Sequence, residues 1–397
     1  MMDIGELIEN VDKNRIYKII TDLEGPKHPM DNMDALNQAG DYVIEYLTDI
    51  GIDVEVQSFK IKGFDDEFRN ILGIIGDPNK PAILIGSHYD TVRFCPGAND
   101  NLSAVAVSLE VARQLMKLEE PPTVIIACFT LEEGHPGVLR YKYDLLKKHG
   151  LMNDKLKYVS TELIDANKSV IKKARQLSQQ GHENTKKYKI ILEETLTKEE
   201  KDIATILDKV YEEFNSNQLE ESLSLVGSKE YVKKVVEDNI NIKSIVNYDC
   251  LGWIKKEHGT QKRLPITPEM DSFLDSYKID KENMVGNFIG IAGEKNSFEY
   301  VECFASCCTG TDIDFPHLAM KLPLDYKGLK KMLPDILRSD HSPFWKAGIP
   351  GVFISDFANF RSELYHTPAD LSQFIDYDIL KQVAQATVKY IMTLNNN

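Results

Sequence analysis

Five side chains of this 397-residue chain could bind metal, and each stands where an apolar, strand-like run gives way to a polar turn. They are His88 in Ser87-His88-Tyr89-Asp90, Asp100 in Pro96-Gly97-Ala98-Asn99-Asp100-Asn101, Glu133 in Thr130-Leu131-Glu132-Glu133-Gly134, Asp249 in Asn247-Tyr248-Asp249, and His366 in Tyr365-His366-Thr367. Two imidazoles and three carboxylates are a ligand set for a pair of zinc-type ions. Glu132, beside Glu133, is left over as a base able to take a proton.

Each piece also has a plain structural reading. A lone histidine after a strand is often a core residue, but Asp90, two positions after His88, could orient that imidazole toward a metal. Asp100 could be a simple helix N-cap, a position that favours both Asp and Asn. With both oxygens free it could instead bridge two ions about 3.5–4 Å apart, the spacing of two-metal hydrolytic sites. Glu132 and Glu133 could lie in an exposed loop. At the end of an apolar strand, though, paired carboxylates repel and lose hydration, a cost that a metal on Glu133 and a proton-transfer role for Glu132 would offset.

The elements that must position these residues read as α/β. A helix is expected over 33–50 from the apolar face Ala35, Leu36, Ala39, Val43, Ile44 and Leu47. Strands are expected over 54–59 and 70–75, with continuous apolar runs at 81–86 and 123–129 suited to central strands covered on both faces. A helix over 102–117 separates those two runs, and further strands are expected at 244–248, 288–291 and 351–354 before a closing helix at 377–394. Strand, helix, strand with ligands at the carboxyl ends is an open arrangement whose site lies at that edge of the sheet. The expectation is a mixed, mostly parallel central sheet flanked by helices. Residues 136–225 depart from it: they are rich in Lys and Glu, have little strand signal, and space Ile203, Ile206, Leu207, Val210 and Phe214 as on a helix. The reading is a catalytic domain from 1–135 and 226–397, with a helical insertion at 136–225 acting as a lid, a specificity wall or a dimerisation arm.

A net charge of −15 disfavours nucleic acid and anionic membranes as partners. No apolar stretch of roughly 20 residues and no basic leader is visible, so a cytoplasmic protein is expected. The six cysteines lack zinc-finger spacing and read as reduced, buried thiols, with Cys95 and Cys250 adjoining ligand motifs.

In order and flanks, the five ligand motifs with Glu132-Glu133 resemble peptidase family M28, the zinc aminopeptidases. Ser339-Asp340-His341-Ser342-Pro343 and Gly348-Ile349-Pro350 extend the likeness, which spans about residues 83–370. The resemblance implies a zinc-peptidase fold with two zinc ions per chain, cobalt or manganese being alternatives. It makes Asp100 the bridging ligand, pairs His88 with Asp249 on one ion and Glu133 with His366 on the other, and casts Glu132 as general base with Asp90 behind His88. Asp340 is expected near the substrate side of the site, hydrogen bonding to the substrate or holding the groups behind the ligands. The implied activity is removal of amino-terminal residues from peptides. The alternatives are glutaminyl-cyclase-like acyl transfer, carboxypeptidase or dipeptidase action, and a non-catalytic peptide-binding protein; a homo-oligomer through the insertion is also left open. Two departures stand out. The Gly-Ser and aromatic that follow the paired glutamates in the family correspond to Gly227-Ser228 and Tyr231, or else the degenerate continuation lies within 137–141. No tyrosine precedes Ser339-Asp340-His341 within 333–338, so Arg338 or a tyrosine from elsewhere is needed to stabilise an oxyanion.

Overall fold

The computed structural model describes residues 4–61, 64–179, 182, 184–216, 223–261, 284–311 and 313–395. Residues 180–181, 183 and 217–222 of the expected insertion lie outside the described residues.

Eight strands form one sheet: β1 (Asp53–Lys60), β2 (Glu67–Ile75), β3 (Ala82–His88), β4 (Val124–Phe129), β5 (Ile242–Tyr248), β6 (Ile289–Gly293), β7 (His317–Lys321) and β8 (Gly351–Ser355), in the order β1-β2-β4-β3-β5-β8-β6-β7. The central β4, β3, β5 and β8 run parallel. Antiparallel pairing joins β1 to β2, β2 to β4 and β6 to β8, while β6 and β7 are parallel. The sheet is therefore mixed, with a parallel centre. Every residue of β3, β4 and β8 is buried, as their unbroken apolar runs require when helices cover both faces. At the sheet's edge, β1 is mostly exposed, so its alternation buries little. Sequence reading misses β7, a five-residue strand with no sustained alternation.

On one face lie α1 (Ile4–Glu9), α2 (Lys13–Leu23), α3 (Met33–Asp49) and α4 (Ser103–Leu115). The α4 helix is almost wholly buried, because it packs between the sheet and the outer helices. The helices α5 (Pro136–Lys148), α6 (Thr161–Gln179), α7 (Asn184–Leu192) and α8 (Lys198–Ser216) follow β4 and share a separate apolar cluster that includes Val170, Ile191, Ile203 and Val210. The chain returns through α9 (Val226–Glu237). Further on come α10 (Phe298–Cys307), α11 (Tyr326–Met332), α12 (His341–Lys346) and α13 (Tyr377–Asn395). Of these, α10 and α13 join the first face, and the opposite face holds a second core containing Tyr231, Leu329 and Phe344.

The return to the sheet is closely fitted. The N–H groups of Leu225, Val226 and Gly227 donate to the carbonyls of Glu132, Leu131 and Thr130 at 2.9, 2.9 and 3.0 Å. Tyr231 then packs on Phe129 and Phe344, with ring centroids 6.0 and 6.4 Å away. The chain that leaves after Glu133 thus comes back against the same glutamate turn. Gly227 leaves no room for a side chain: a Cβ there would stand 2.2 Å from the Thr130 oxygen and 2.5 Å from Asn70 Oδ1. Gly227→Ala is expected to destabilise the protein by about 1–3 kcal/mol, measured by denaturant unfolding; unchanged stability would mean that this contact relaxes freely.

Candidate metal centre

The apolar runs of β3, β4 and β5 end in polar residues at one edge of the sheet, and the site collects there. His88 closes β3, Glu132 and Glu133 follow β4 by a few residues, and Asp249 follows β5 directly. Leu131 and Cys250 have positive φ values of 55° and 57°, as does His366 at 59°. Non-glycine residues adopt this conformation at a cost, and such positions concentrate where a chain must reverse sharply around a functional group. Asp100 stands in a kinked turn at the start of α4, and its peptide bond to Asn101 is cis.

Asp100 lies at the centre of the cluster. Its Oδ1 is 3.4 Å from His88 Nε2, and its Oδ2 is 3.1 Å from His366 Nε2. His366 Nε2 is also 3.2 Å from Glu133 Oε1. Two triads follow, His88–Asp100–Asp249 and Asp100–Glu133–His366, each with ligand atoms within 4.8 Å of one another and with Asp100 common to both. A third grouping of His88, Glu132 and Glu133 meets the same limit. The Nε2 atoms of His88 and His366 are buried without a well-formed hydrogen bond. Nitrogen and carboxylate donors in two triads that share one carboxylate fit a pair of zinc-type ions.

Burial drives the electrostatics of the protein alone. It pushes the carboxyl of Glu132 well above its usual range against the pull of His88, and that of Glu133 up to about 6 against His366. Asp249 is raised by burial and by Asp100. Asp100 goes the other way: burial opposes ionisation, but contacts with His366 and His88 hold it well below the ordinary carboxylate range. Burial favours neutral imidazoles, yet the surrounding carboxylates outweigh it, raising His88 and holding His366 up to about 9. So many charged or chargeable donors in one buried volume call for a positive counter-ion.

A second tier of residues fixes the first. His88 Nδ1 lies 3.2 Å from the carbonyl oxygen of Asp90; a proton donated there leaves Nε2 as the ligating nitrogen. The Asp90 carboxylate is 3.6 Å from the same ring but accepts hydrogen bonds from the backbone N–H groups of Glu132 and Glu133, both at 3.1 Å. Asp90 therefore orients His88 mainly through its carbonyl and holds the glutamate turn with its side chain. Asp370, four residues past His366, accepts from the N–H groups of Asn99 and Asp100 at 2.9 and 3.1 Å. Asn99 and Asn101 in turn accept from Gly252 N and Cys250 N at 2.7 and 3.1 Å, tying the Asp100 turn to the Asp249 turn. Asp356 accepts from Asn99 Nδ2 and Trp253 N. Lys27, 2% exposed, donates to the carbonyls of Leu23, Gly25 and Pro96 beneath that turn. Sequence reading passes over Asp356, Asp370 and Lys27 as second-tier residues. Only the nearness of Asp370 to His366 could have hinted at its place.

A cavity of about 330 Å³ opens over the cluster, with Asp100, Glu132, Glu133, Asp249 and His366 on its floor. Ile336, Phe353, Phe357 and Phe360 give it an apolar side, and Ser224, Arg338 and Tyr365 complete the rim. Asp340 does not line it. Expected near the substrate side, Asp340 is fully buried, and burial raises its carboxyl to about 7 against the pull of His88 and a contact with Ser228. Its charge still acts on Glu132. His341 Nε2 donates to the Ile336 carbonyl at 2.7 Å, and the ring stacks on Phe353; burial lowers its pKa to about 3, so it is a neutral core residue. Tyr365 stacks on His366 with centroids 3.8 Å apart, and its hydroxyl accepts from Arg338 Nη2 at 3.4 Å. Cys95 and Cys250 are buried, and burial raises both thiols, which makes them poor nucleophiles.

Among the described residues, no helix is long and apolar enough to cross a membrane. The sequence pattern of peptidase family M28 matches residues 70–159 and 326–391, which include every one of the expected ligands except Asp249. The chain is 22% identical over 384 residues to the uncharacterized protein YfbL of Escherichia coli (strain K12), covering 94% of this chain and 86% of that one. It is 36% identical over 96 residues to the aminopeptidase YwaD of Bacillus subtilis (strain 168), covering 23% of this chain and 21% of YwaD. Its fold is similar to that of the LapA aminopeptidase of Legionella pneumophila, with a TM-score of 0.58 at 12% identity over 99% of this chain and 75% of LapA. The sheet, the shared aspartate and the two-part sequence match agree in their likeness to peptidase family M28.

Proposed function

We propose that this peptidase binds two zinc ions and removes residues from the amino ends of peptides. The observation that carries the reading is the position of Asp100, one oxygen toward His88 and the other toward His366, so that a single carboxylate serves both ligand triads. Bound there, the ions would supply Lewis acidity toward a carbonyl oxygen and lower the pKa of water. Asp100, His88 and Asp249 would hold one ion, and Asp100, Glu133 and His366 the other.

Glu132 is not needed to complete either triad, yet it lies on the cavity floor, 3.9 Å from His88 Nε2. It is positioned to take the proton of the attacking water at a carboxylate oxygen and pass it to the leaving amine. Asp90 keeps Glu132 in place by accepting its backbone N–H, so a flexible side chain works from a fixed anchor. Tyr365 is the tyrosine supplied from elsewhere in the chain: Arg338 donates to its oxygen, which leaves the phenolic proton free to donate toward a developing oxyanion. The floor carboxylates suit a free α-amine. The local identity to an aminopeptidase over 96 residues supports the same choice. The helices α5 to α8 serve as a specificity wall, since α6 packs on the turn at Pro334–Leu337 and the returning chain contributes Ser224 to the cavity.

The deciding test is turnover of unblocked against amino-blocked peptides by zinc-loaded protein, with metal content measured on the same sample. Two zinc ions per chain and cleavage of unblocked peptides alone are expected, with chelation abolishing activity. Glu132→Gln is expected to keep both ions while kcat falls by about 10²–10⁴-fold, the usual range for a general base; wild-type turnover in that variant would sink the assignment. Tyr365→Phe should lower kcat by roughly 10–10³-fold with little change in KM if the hydroxyl meets the oxyanion. A rise in KM alone would give it a binding role. Asp370→Ala, which touches no proposed ion, is expected to weaken zinc binding by about 10–100-fold, as loss of a group orienting a ligand commonly does; chelator competition would show it.

A further inference from the structure

The ligand-bearing floor and the proton-transfer carboxylate leave one cation of the cavity with most of its donors unused. Among the described residues that line it, Arg338 is the only arginine or lysine. The residue is exposed and lines the cavity. One of its five N–H donors goes to the Tyr365 hydroxyl at 3.4 Å, a long bond that leaves most of the planar fork uncommitted. Asp335 stands near enough to offset part of the charge, and Glu132 and Glu133 feel it across the cavity.

The position of the fork limits what it can meet. Tyr365 lies flat on His366, whose Nε2 faces Asp100 and Glu133. Arg338 therefore stands about one phenol ring beyond a metal-ligating histidine, on the rim. An oxyanion donor has to reach the carbonyl at the floor and work away from water, which suits Tyr365 better than an exposed guanidinium. What a guanidinium on the rim does well is bind a carboxylate through paired N–H groups. In a dipeptide, the terminal carboxylate carbon lies about 4 Å beyond the scissile carbonyl, roughly one residue step. The Tyr365 ring, 3.8 Å from His366 and bonded at its hydroxyl to Arg338, stands between the floor and the fork.

We propose that Arg338 captures a carboxylate carried by the residue just past the scissile bond, which makes short peptides with a free carboxyl end the preferred substrates of this site. The inference rests on the peptidase reading and adds to it a substrate class and a specificity residue. A main-chain carboxylate of a dipeptide and an acidic side chain in a longer peptide offer the same chemistry, so the test separates them.

Leu-Gly, Leu-Gly amide and Leu-Glu amide are the probes, the leucyl group being chosen for the apolar wall of Phe353, Phe357 and Phe360. Zinc-loaded enzyme is expected to cleave Leu-Gly with kcat/KM about tenfold or more above Leu-Gly amide, the scale of a hydrogen bond to a charged group. Arg338→Gln should erase that ratio by raising KM for Leu-Gly above that for Leu-Gly amide, whatever the loss of its bond to Tyr365 takes from kcat on both, and Arg338→Lys should restore part of it. A preference for Leu-Glu amide over Leu-Gly amide, lost in the same variant, would assign the carboxylate to a side chain. Equal cleavage of all three probes would overturn the proposal. So would an acid-to-amide ratio that survives in Arg338→Gln while kcat falls equally on both, which would confine Arg338 to the reacting carbonyl. Calorimetric titration of the same probes into the zinc-loaded Glu132→Gln protein, with and without Arg338→Gln, reads the anchor apart from turnover. Tighter binding of Leu-Gly that depends on Arg338, with the unsubstituted zinc-loaded protein cleaving none of the probes, would overturn the peptidase reading and leave the anchor standing.

Discussion

The aspartate shared by two imidazoles is the constraint on which the rest of the architecture depends. Asp100 is 3% exposed, and Glu132, Glu133 and Asp249 crowd around it in a volume that His88 and His366 close. Carboxylates so placed repel each other and have given up most of their hydration, so the fold holds them together against their own electrostatics. A parallel sheet core is suited to this. The buried strands β3, β4 and β5 hydrogen-bond rigidly along their length and end in register, so their polar termini meet at a fixed spacing whatever those termini would prefer.

Rigidity at the strand ends comes from backbone hydrogen bonds made by side chains that are not ligands. Asp90 holds the glutamate turn, Asp370 holds the Asp100 turn, and Asn99 and Asn101 bind that turn to the residues after Asp249. Each contact joins two loops that are distant in sequence. A ligand cannot move without carrying a neighbour with it. The same logic explains a buried lysine: with three carbonyls to donate to, Lys27 satisfies loop carbonyls that no helix or strand claims, and burial lowers its ammonium to about 8.

The strands and the ligands were legible in the sequence for one physical reason. An apolar run ending in a histidine or a pair of acids places costly groups at a buried edge, a pattern that is hard to explain without a metal. Regular elements with sustained periodicity, such as α3 and α13, were legible for a similar reason. Other features were not, because they arise from contacts across the chain. Nothing near Asp370 announces that its carboxylate will accept the Asp100 N–H, 270 positions away. The stacking of Tyr365 on His366 and its bond to Arg338 depend on how two loops meet, so a tyrosine from elsewhere in the chain could be expected but not placed. Asp340 shows a different limit: its motif is legible, but a motif does not say on which side of the cavity wall a side chain lies.

The charge layout links the site to the helices that follow β4. Carboxylates crowd the floor and a guanidinium stands on the rim, so the cavity carries a gradient of sign along its depth. Such a gradient discriminates by orientation: a peptide's ammonium group is drawn inward and a carboxylate outward, and the reversed pose is opposed at both ends. The gradient holds only if the rim is fixed. Here α6 packs on Pro334–Leu337, the turn just before Arg338, while Arg93 donates to the Leu156 carbonyl and pairs with Asp31, fastening the inserted helices to the loop between His88 and Asp100. The insertion therefore touches both the segment that leads to a ligand and the segment that carries the rim cation. Helices far from any ligand can then set which substrates reach the floor, by fixing the distance between opposite charges rather than by touching the scissile bond.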